Sequence, residues 1–378
     1  MAAKIKILYV LQDLEMGGAE RLRFTAEKYI NKSRFETIYC CIEKKGVLGE
    51  EIERKGGCVI CLDTKDEFYN LTATVRLYKV VKKIRPDLVH AALFNANFHA
   101  RVAGIFSGTP VISEEHGMYF WKKWYHKLID RILARFTYRI IAASKNVKIF
   151  LMKQENIDTE KIEVIYDCVD PESFISHSSS NEARAAISVD NNVYLIGAVG
   201  NLRKEKGHDI LLDAFREARK RHDARLFIAG DGPLYGYLKQ KSEDLGIKDE
   251  VRFLRKYSDI AGFLRALDLF VMPSLSEGLG IALIEAVAAG LPCIASNIGG
   301  ISEIAENFAS VTMVKPGDAN SLASAIVLEI EKKKIMGSRT QSAGNRVNDL
   351  FSPEVYLSHI EELYCRALKR GVLHDSQT

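Results

Sequence analysis

The sequence predicts an α/β fold built from two Rossmann-like halves, and three observations carry that reading. Short apolar runs recur along the whole chain, each followed by a stretch with helical spacing. The runs are rich in Val and Ile, four to seven residues long, and continuous rather than alternating. Strands buried on both faces of a parallel sheet look like this. Strands alternating with helices give right-handed β-α-β units. The third observation is length: 378 residues suit two domains rather than one.

In the first half the runs are Ile5–Leu11, Thr37–Ile42, Cys58–Leu62, Asp87–Leu93, Pro110–Ser113, Arg139–Ala143 and Ile162–Ile165. In the second they are Val193–Val199, Arg225–Ala229, Val251–Leu254, Leu269–Met272, Pro292–Ala295 and Ser310–Val314. Between the halves, Ser176–Asn181 is polar and lacks apolar periodicity, as a linker does. The expected division is 1–175, 176–352, and a C-terminal amphipathic helix and tail from 353 to 378. Two doubly wound halves facing each other would make a cleft, with ligands beyond the carboxyl ends of the strands.

Composition narrows the function. Hydrophobic residues make up 47% and charged residues 27%, which excludes a disordered or fibrous chain. A net charge of +4 without a recognised binding motif gives no case for nucleic acid. The seven cysteines are odd in number and irregularly spaced, so no disulfide framework is expected. Cys58 and Cys61 spell C-x-x-C inside an apolar run that reads as a buried strand, where residues three apart point to opposite faces. No metal site is expected. No run reaches the length of a membrane span and no cleavage signal follows the start. A cytoplasmic location follows as the expectation.

The residues just after the strands carry the chemistry. Gly17 and Gly18 follow the first strand and open a helix; such a turn lets backbone approach an anion. After Val193–Val199 comes Gly200-Asn201-Leu202-Arg203-Lys204-Glu205-Lys206-Gly207, where Arg203 and Lys206 suit phosphates. After Leu269–Met272 comes a loop with Glu277, Gly278, Leu279 and Gly280, then an apolar helix beginning near Ile281 and holding Glu285. The helix start favours a phosphate. Glu285 sits in apolar company where an unpaired carboxylate would be costly.

With these residues the chain resembles the retaining, nucleotide-sugar-dependent glycosyltransferases of the GT-B fold, glycosyltransferase family 4. The E-x7-E element matches Glu277 and Glu285. G-x-L-x-x-x-K-G matches Gly200–Gly207, A-G-D-G-P matches Ala229–Pro233, G-G-x-x-E matches Gly299–Glu303, and G-G-A-E matches Gly17–Glu20. The resemblance implies that Glu285 holds the ribose, Glu277 the donor sugar and Lys206 the diphosphate, assisted by backbone N–H groups near Gly278–Ile281. It places His116, in S-E-E-H-G, near the donor sugar, in either protonation state. It also implies a C-terminal helix crossing back to the N-terminal domain. Three departures stand out: Asn201 where the family has Arg, with Arg203 as a substitute; Asp167-Cys168-Val169-Asp170 where it has N-G-V-D; and Arg255 where a Gly is common.

The resulting expectation is metal-independent transfer of a sugar from a nucleotide-sugar co-substrate, a UDP-sugar, to a glycan or lipid-linked acceptor, with retention and with no cofactor. Leaving-group charge would be met by Lys206, Arg203 and a helix N-terminus. A sugar-nucleotide epimerase and a non-catalytic sugar-binding protein are the alternatives.

Charge is unevenly spread. Arg76–Lys148 holds fourteen Lys and Arg against four acids, a balance of +10, which leaves −6 elsewhere. Within it, Tyr119–Arg139 fits a helix with Lys123, Lys127, Arg131, Arg135 and Arg139 in one row. Trp121, Trp124, Leu128, Ile132 and Phe136 form an apolar stripe. Two readings compete: a stripe packed into the core, or a face seated on an anionic membrane. The second places Asn95, Trp121, Lys123, Trp124, Lys127 and Arg131 on an acceptor and membrane side, at the inner face of the cell membrane.

Overall fold

The computed structural model describes residues 4–15, 18–65, 69–174, 179–336 and 343–369. Its contacts divide the chain into two units, Met1–Cys168 with Pro353–Thr378, and Val169–Ser352. Of the expected linker, residues 176–178 lie outside the described residues, as does Gly17. The contact boundary falls before Val169 because Val169 N–H donates to Phe351 O at 2.9 Å, joining the second unit.

The first unit runs β1 (Ile5–Leu11), α1 (Gly18–Tyr29), β2 (Phe35–Cys41), α2 (Gly46–Arg54), β3 (Cys58–Cys61), α3 (Leu71–Ile84) and β4 (Leu88–Ala92). It continues with α4 (Phe94–Ser107), β5 (Val111–Glu115), α5 (Trp124–Phe136), β6 (Arg139–Ala142), α6 (Lys145–Gln154) and β7 (Ile162–Val164). Among the described residues its sheet has seven strands in the order β3-β2-β1-β4-β5-β6-β7. Every pairing is parallel. β1 and β4 are neighbours (Ile7 opposite Leu88), so the winding reverses between them.

The second unit runs α7 (Ser180–Ala186), β8 (Tyr194–Val199), α8 (His208–Arg219), β9 (Ala224–Ala229), α9 (Tyr235–Asp244), β10 (Val251–Leu254) and α10 (Ile260–Ala266). Then come β11 (Leu269–Met272), α11 (Ile281–Ala288), β12 (Cys293–Ser296), α12 (Gly299–Ala305), β13 (Val311–Val314), α13 (Ala319–Met336) and α14 (Ala343–Phe351). The six-stranded parallel sheet of the described residues has the order β10-β9-β8-β11-β12-β13. Its reversal lies between β8 and β11. The thirteen strands of the described residues coincide with the apolar runs of the sequence.

The final helix, α15 (Pro353–Ala367), packs on the first unit. Its Tyr356, Leu357, Ile360, Leu363 and Tyr364 join the core formed by β1, β2 and α1. Burying five large side chains is worth roughly 1.5–3 kcal/mol each, which makes this return of the chain part of the unit's own core.

Two local expectations need correction. The run at Cys58–Leu62 is not a buried strand. β3 is the sheet's edge with only β2 beside it, and Cys58 and Cys61 are exposed. All seven cysteines are free thiols. The helix expected over Tyr119–Arg139 spans only Trp124–Phe136. Lys122 is drawn into the interior, where its ammonium meets Asp130 and Glu155 at 2.8 Å each. The chain makes a turn there (Lys122 N–H to Tyr119 O, 3.1 Å) instead of a helical start.

Candidate active site

In the second unit the topology itself assembles the site. β8 and β11 are adjacent, so the loops leaving their carboxyl ends meet at the switch point of the sheet. One loop carries Lys206, the other Glu277. The Lys206 ammonium donates to Glu277 Oε1 at 2.5 Å, and Ser274 Oγ donates to the same oxygen at 3.0 Å. Leu275 N–H ties the loops together through Glu205 O at 2.7 Å. An ammonium has three donors, so Lys206 keeps two for a further acceptor.

Glycines make this proximity possible. Gly207 has φ +63, and a Cβ there would lie 2.1 Å from Pro273 O. A Cβ on Gly230 would lie 1.9 Å from Gly200 O, and one on Gly300 would lie 2.2 Å from Gly278 O. Side chains at these places would push apart the loops that hold Lys206 and Glu277.

Gly280, at φ +107, caps the start of α11. Leu279 beside it is buried, and Ile281 is half-buried at the first helical position. The first N–H groups of a helix have no acceptor within it, and here they lie directly after Glu277 and Gly278. Glu285 is buried on α11, about one turn further along. Asn201 and Arg203 are exposed on the loop after β8, joined by the Arg203 N–H to Asn201 O bond at 2.8 Å. Arg255 explains its own departure from the family pattern. Its guanidinium grips Asp231 through two bonds of 3.0 Å and lies 4.3 Å over the Tyr235 ring, fixing the Ala229–Pro233 turn.

His116 stands in the first unit, just after β5, between two carboxylates. Its Nδ1 is 3.1 Å from Asp167 Oδ2 and its Nε2 is 3.4 Å from Glu114 Oε2. A neutral imidazole has one N–H and serves one of these; an imidazolium serves both. Burial alone would lower its pKa, but Asp167 and Glu114 together hold it well above the usual histidine value. Of the two protonation states left open by the sequence, this setting favours the cation. Glu114, despite burial, is held well below the carboxylate range by Arg23 and His116.

Arg23 from α1 pairs directly with Glu114, and Tyr356 O–H of α15 donates to Glu114 Oε1 at 3.2 Å. His90 Nδ1 meets the Tyr364 hydroxyl at 2.6 Å, and Tyr364 meets Tyr9 at 2.7 Å. Burial and then Arg23 keep His90 neutral, with a pKa near 4. With Arg23 and His116 positive and Glu114 and Asp167 negative, the cluster is charge-neutral. Glu114, His116 and Asp167 also lie within 4.8 Å of one another, the spacing of a cation site. Arg23 and the imidazolium already supply the positive charge there. The departure at Asp167-Cys168 makes sense in this setting: Asp167 faces His116, while Cys168 is buried in the core with no positive φ to require glycine.

Sequence reasoning did not find Arg23, His90, Glu114, Asp167 or the two tyrosines of α15. They come from distant segments, and the signals available were Glu114, two positions before His116, and Asp167, in the turn that departs from N-G-V-D.

Of the two readings of α5, the one that packs its apolar stripe into the core does not hold. Its apolar stripe faces outward: Trp124 is 75% exposed, Leu128 46%, Ile132 45% and Phe136 63%. Lys123 and Arg131 are exposed beside it, and Lys127 is half-buried. The inward face instead carries His126 and Asp130 with Leu133 and Ala134. Asp130 binds Lys122 and Arg101, and Arg101 is further held by Ser113 Oγ at 2.7 Å. Trp121 packs edge-on to Phe94 at 5.1 Å, and Asn95 is half-buried in the first turn of α4. Gly18 opens α1. Among the described residues no helix is long and apolar enough to cross a membrane.

Comparison with known proteins places the chain. Residues 179–345 match the glycosyl transferases group 1, and residues 16–173 match Glycosyltransferase Family 4. A putative glycosyltransferase EpsF of Bacillus subtilis is 30% identical over 77% of this chain and 79% of its own. The UDP-Gal:alpha-D-GlcNAc-diphosphoundecaprenol alpha-1,3-galactosyltransferase of Escherichia coli is 26% identical over 96% of this chain and 97% of its own. The Anabaena protein Alr3699/HepE, solved with UDP and glucose, shares the fold with a TM-score of 0.83 at 23% identity, over 95% of this chain and 98% of that one. Two parallel-sheet units, loops joined at the switch point of the second and these relatives together make the chain a GT-B glycosyltransferase of family 4.

Proposed function

We propose that the chain is a retaining, metal-independent transferase that moves a sugar from a UDP-sugar to a lipid-linked or glycan acceptor at an anionic membrane surface. The observation that carries the donor reading is the Lys206–Glu277 contact at the start of α11. A diphosphate suits a loop with a half-exposed ammonium and a helix N-terminus, which meet its charge with fixed dipoles. As the bond between the anomeric carbon and the diphosphate breaks, its electron pair passes to the leaving oxygen, where Lys206 and the α11 amides stabilise it. The acceptor oxygen bonds to the same face of the sugar, and its proton passes to the departing diphosphate. Retention follows without a protein nucleophile. Glu277 would accept from donor-sugar hydroxyls and Glu285 from the ribose. Asn201 and Arg203 would complete the donor surroundings. No metal or cofactor enters this scheme.

His116, as an imidazolium, would supply a fixed positive charge rather than a base. Support for a UDP-sugar and a diphosphate-lipid acceptor comes from the relatives just described. Support for a membrane surface comes from the outward stripe of α5 beside its basic row. In this reading Asn95, Trp121, Lys123, Trp124, Lys127 and Arg131 mark the acceptor and membrane side.

The test is acceptor-dependent UDP release with Lys206→Ala and Glu277→Ala. Each should lose about 10²-fold or more in kcat, the scale set by deleting one transition-state donor. Wild-type rates in either variant would refute the site. UDP release without an acceptor product would favour hydrolysis, and an isomerised sugar nucleotide with no acceptor-dependent UDP would favour epimerisation.

A further inference from the structure

Beside the C-terminal half of α5 lies a cavity of about 470 Å³, bounded by the turn from α6 into β7. Arg131, Arg135, Lys161, Asn156 and Asp158 line it. Lys161 is pinned in place: its ammonium donates to Arg135 O at 3.1 Å and Thr137 O at 2.9 Å. One ammonium donor remains. Asp158 is engaged as well, its carboxylate accepting from Glu160 N–H at 3.1 Å. Arg131 and Arg135 have no carboxylate partner among the described residues. The cavity thus has a balance of +2, with two guanidinium forks suited to two-pronged binding of a phosphate.

The apolar row runs immediately alongside. Ile132 follows Arg131 and Phe136 follows Arg135, and both apolar side chains are exposed. On a helix, positions four apart stack one above the other, so a basic row and an apolar row descend α5 side by side. Meanwhile the buried contacts of Asp130 with Arg101 and Lys122 hold the helix from within. A free phosphate would use the basic row and leave the apolar row without purpose. A phospholipid uses both, with its phosphate at the guanidiniums and its upper acyl segments on Leu128, Ile132 and Phe136.

We propose that this cavity is a headgroup subsite that takes the phosphate of an anionic membrane lipid. The proposal rests on the membrane-facing reading of α5 and specifies its ligand.

The experiment is co-sedimentation of the full chain with vesicles of equimolar phosphatidylglycerol and phosphatidylcholine. Arg131→Ala with Arg135→Ala should lower partitioning about 300-fold: about 30-fold from two basic residues at about 1 kcal/mol each, and about 10-fold more from the lost two-pronged bonds. Arg131→Lys with Arg135→Lys keeps the charge and removes the forks, and should still lose roughly 10-fold, as expected for lost two-pronged bonds. If the lysine pair binds like wild type, attraction is diffuse and the subsite is refuted. Equal losses from Lys123→Ala with Lys127→Ala, which lie outside the cavity, would refute it too. A rise in melting temperature with inorganic phosphate that depends on Arg131 and Arg135, without vesicle binding, would assign the cavity to a soluble phosphate. Failure of the wild-type chain to bind these vesicles would overturn the membrane reading and the subsite together. Thermal shift with UDP, measured without vesicles, reports separately on the donor reading.

Discussion

Replacing Glu114 by Gln keeps the shape of the side chain and removes one charge from the interior. Glu114 and Arg23 are 0% and 1% exposed at their side chains, so water cannot take over the lost interaction. Arg23 would then be a buried cation left with the faces of Tyr9 and Tyr356, 5.3 and 5.4 Å away. Removing one partner of a buried pair typically costs about 3–5 kcal/mol. For a domain of this size each kcal/mol lowers the melting temperature by roughly 2–4 °C. The expected loss is therefore about 6–20 °C, a range that follows from combining those two values. His116 should respond as well. With only Asp167 left beside it, its pKa should fall toward the usual value, seen as a shifted imidazole titration by NMR. The double variant Arg23→Met, Glu114→Gln removes both charges and should recover much of the stability. A melting temperature within 2 °C of wild type (about 1 kcal/mol or less) would refute the buried-pair reasoning. So would a double variant worse than the single.

Gly300→Ala should lower transfer by about 10²-fold while far-UV circular dichroism stays unchanged, because the added carbon displaces the Gly278 backbone by more than its contact allows. Gly236→Ala is the control: a Cβ there meets nothing within 4 Å, so activity should be kept and stability held or slightly raised. Acid should destabilise the fold well above the carboxylate range. Burial holds His90, His99 and His208 near pKa 4, so from pH 6.5 down to 4 the unfolded chain binds the extra protons. Each then costs up to about 1.4 kcal/mol per pH unit. His116 does not offset this, since its raised pKa adds stability that is complete below pH 6.5 and is lost only as pH rises through its folded value. Melting temperatures that stay flat from pH 7 to 5 would contradict this account.

The strands and the glycine-bearing loops were legible in the sequence because each is local. A continuous apolar run of four residues marks a buried parallel strand at Leu269–Met272. The spacing from Glu277 to Glu285 is likewise contained in one loop and one helix. Even the meeting of Lys206 with Glu277 follows once β8 and β11 are neighbours.

What the sequence could not decide was which surfaces turn inward. Helical spacing groups Trp124, Leu128, Ile132 and Phe136 on one stripe, and hydrophobicity alone would bury them. The opposite face won because Arg101, Lys122 and Glu155, from other segments, supply Asp130 and each other with partners in the interior. The same holds for His116, whose charge depends on Asp167, Arg23 and residues of α15 more than two hundred positions away. Periodicity says which residues share a face. Only the assembled charges, each needing a partner once water is gone, settle which face is buried and which protons stay on.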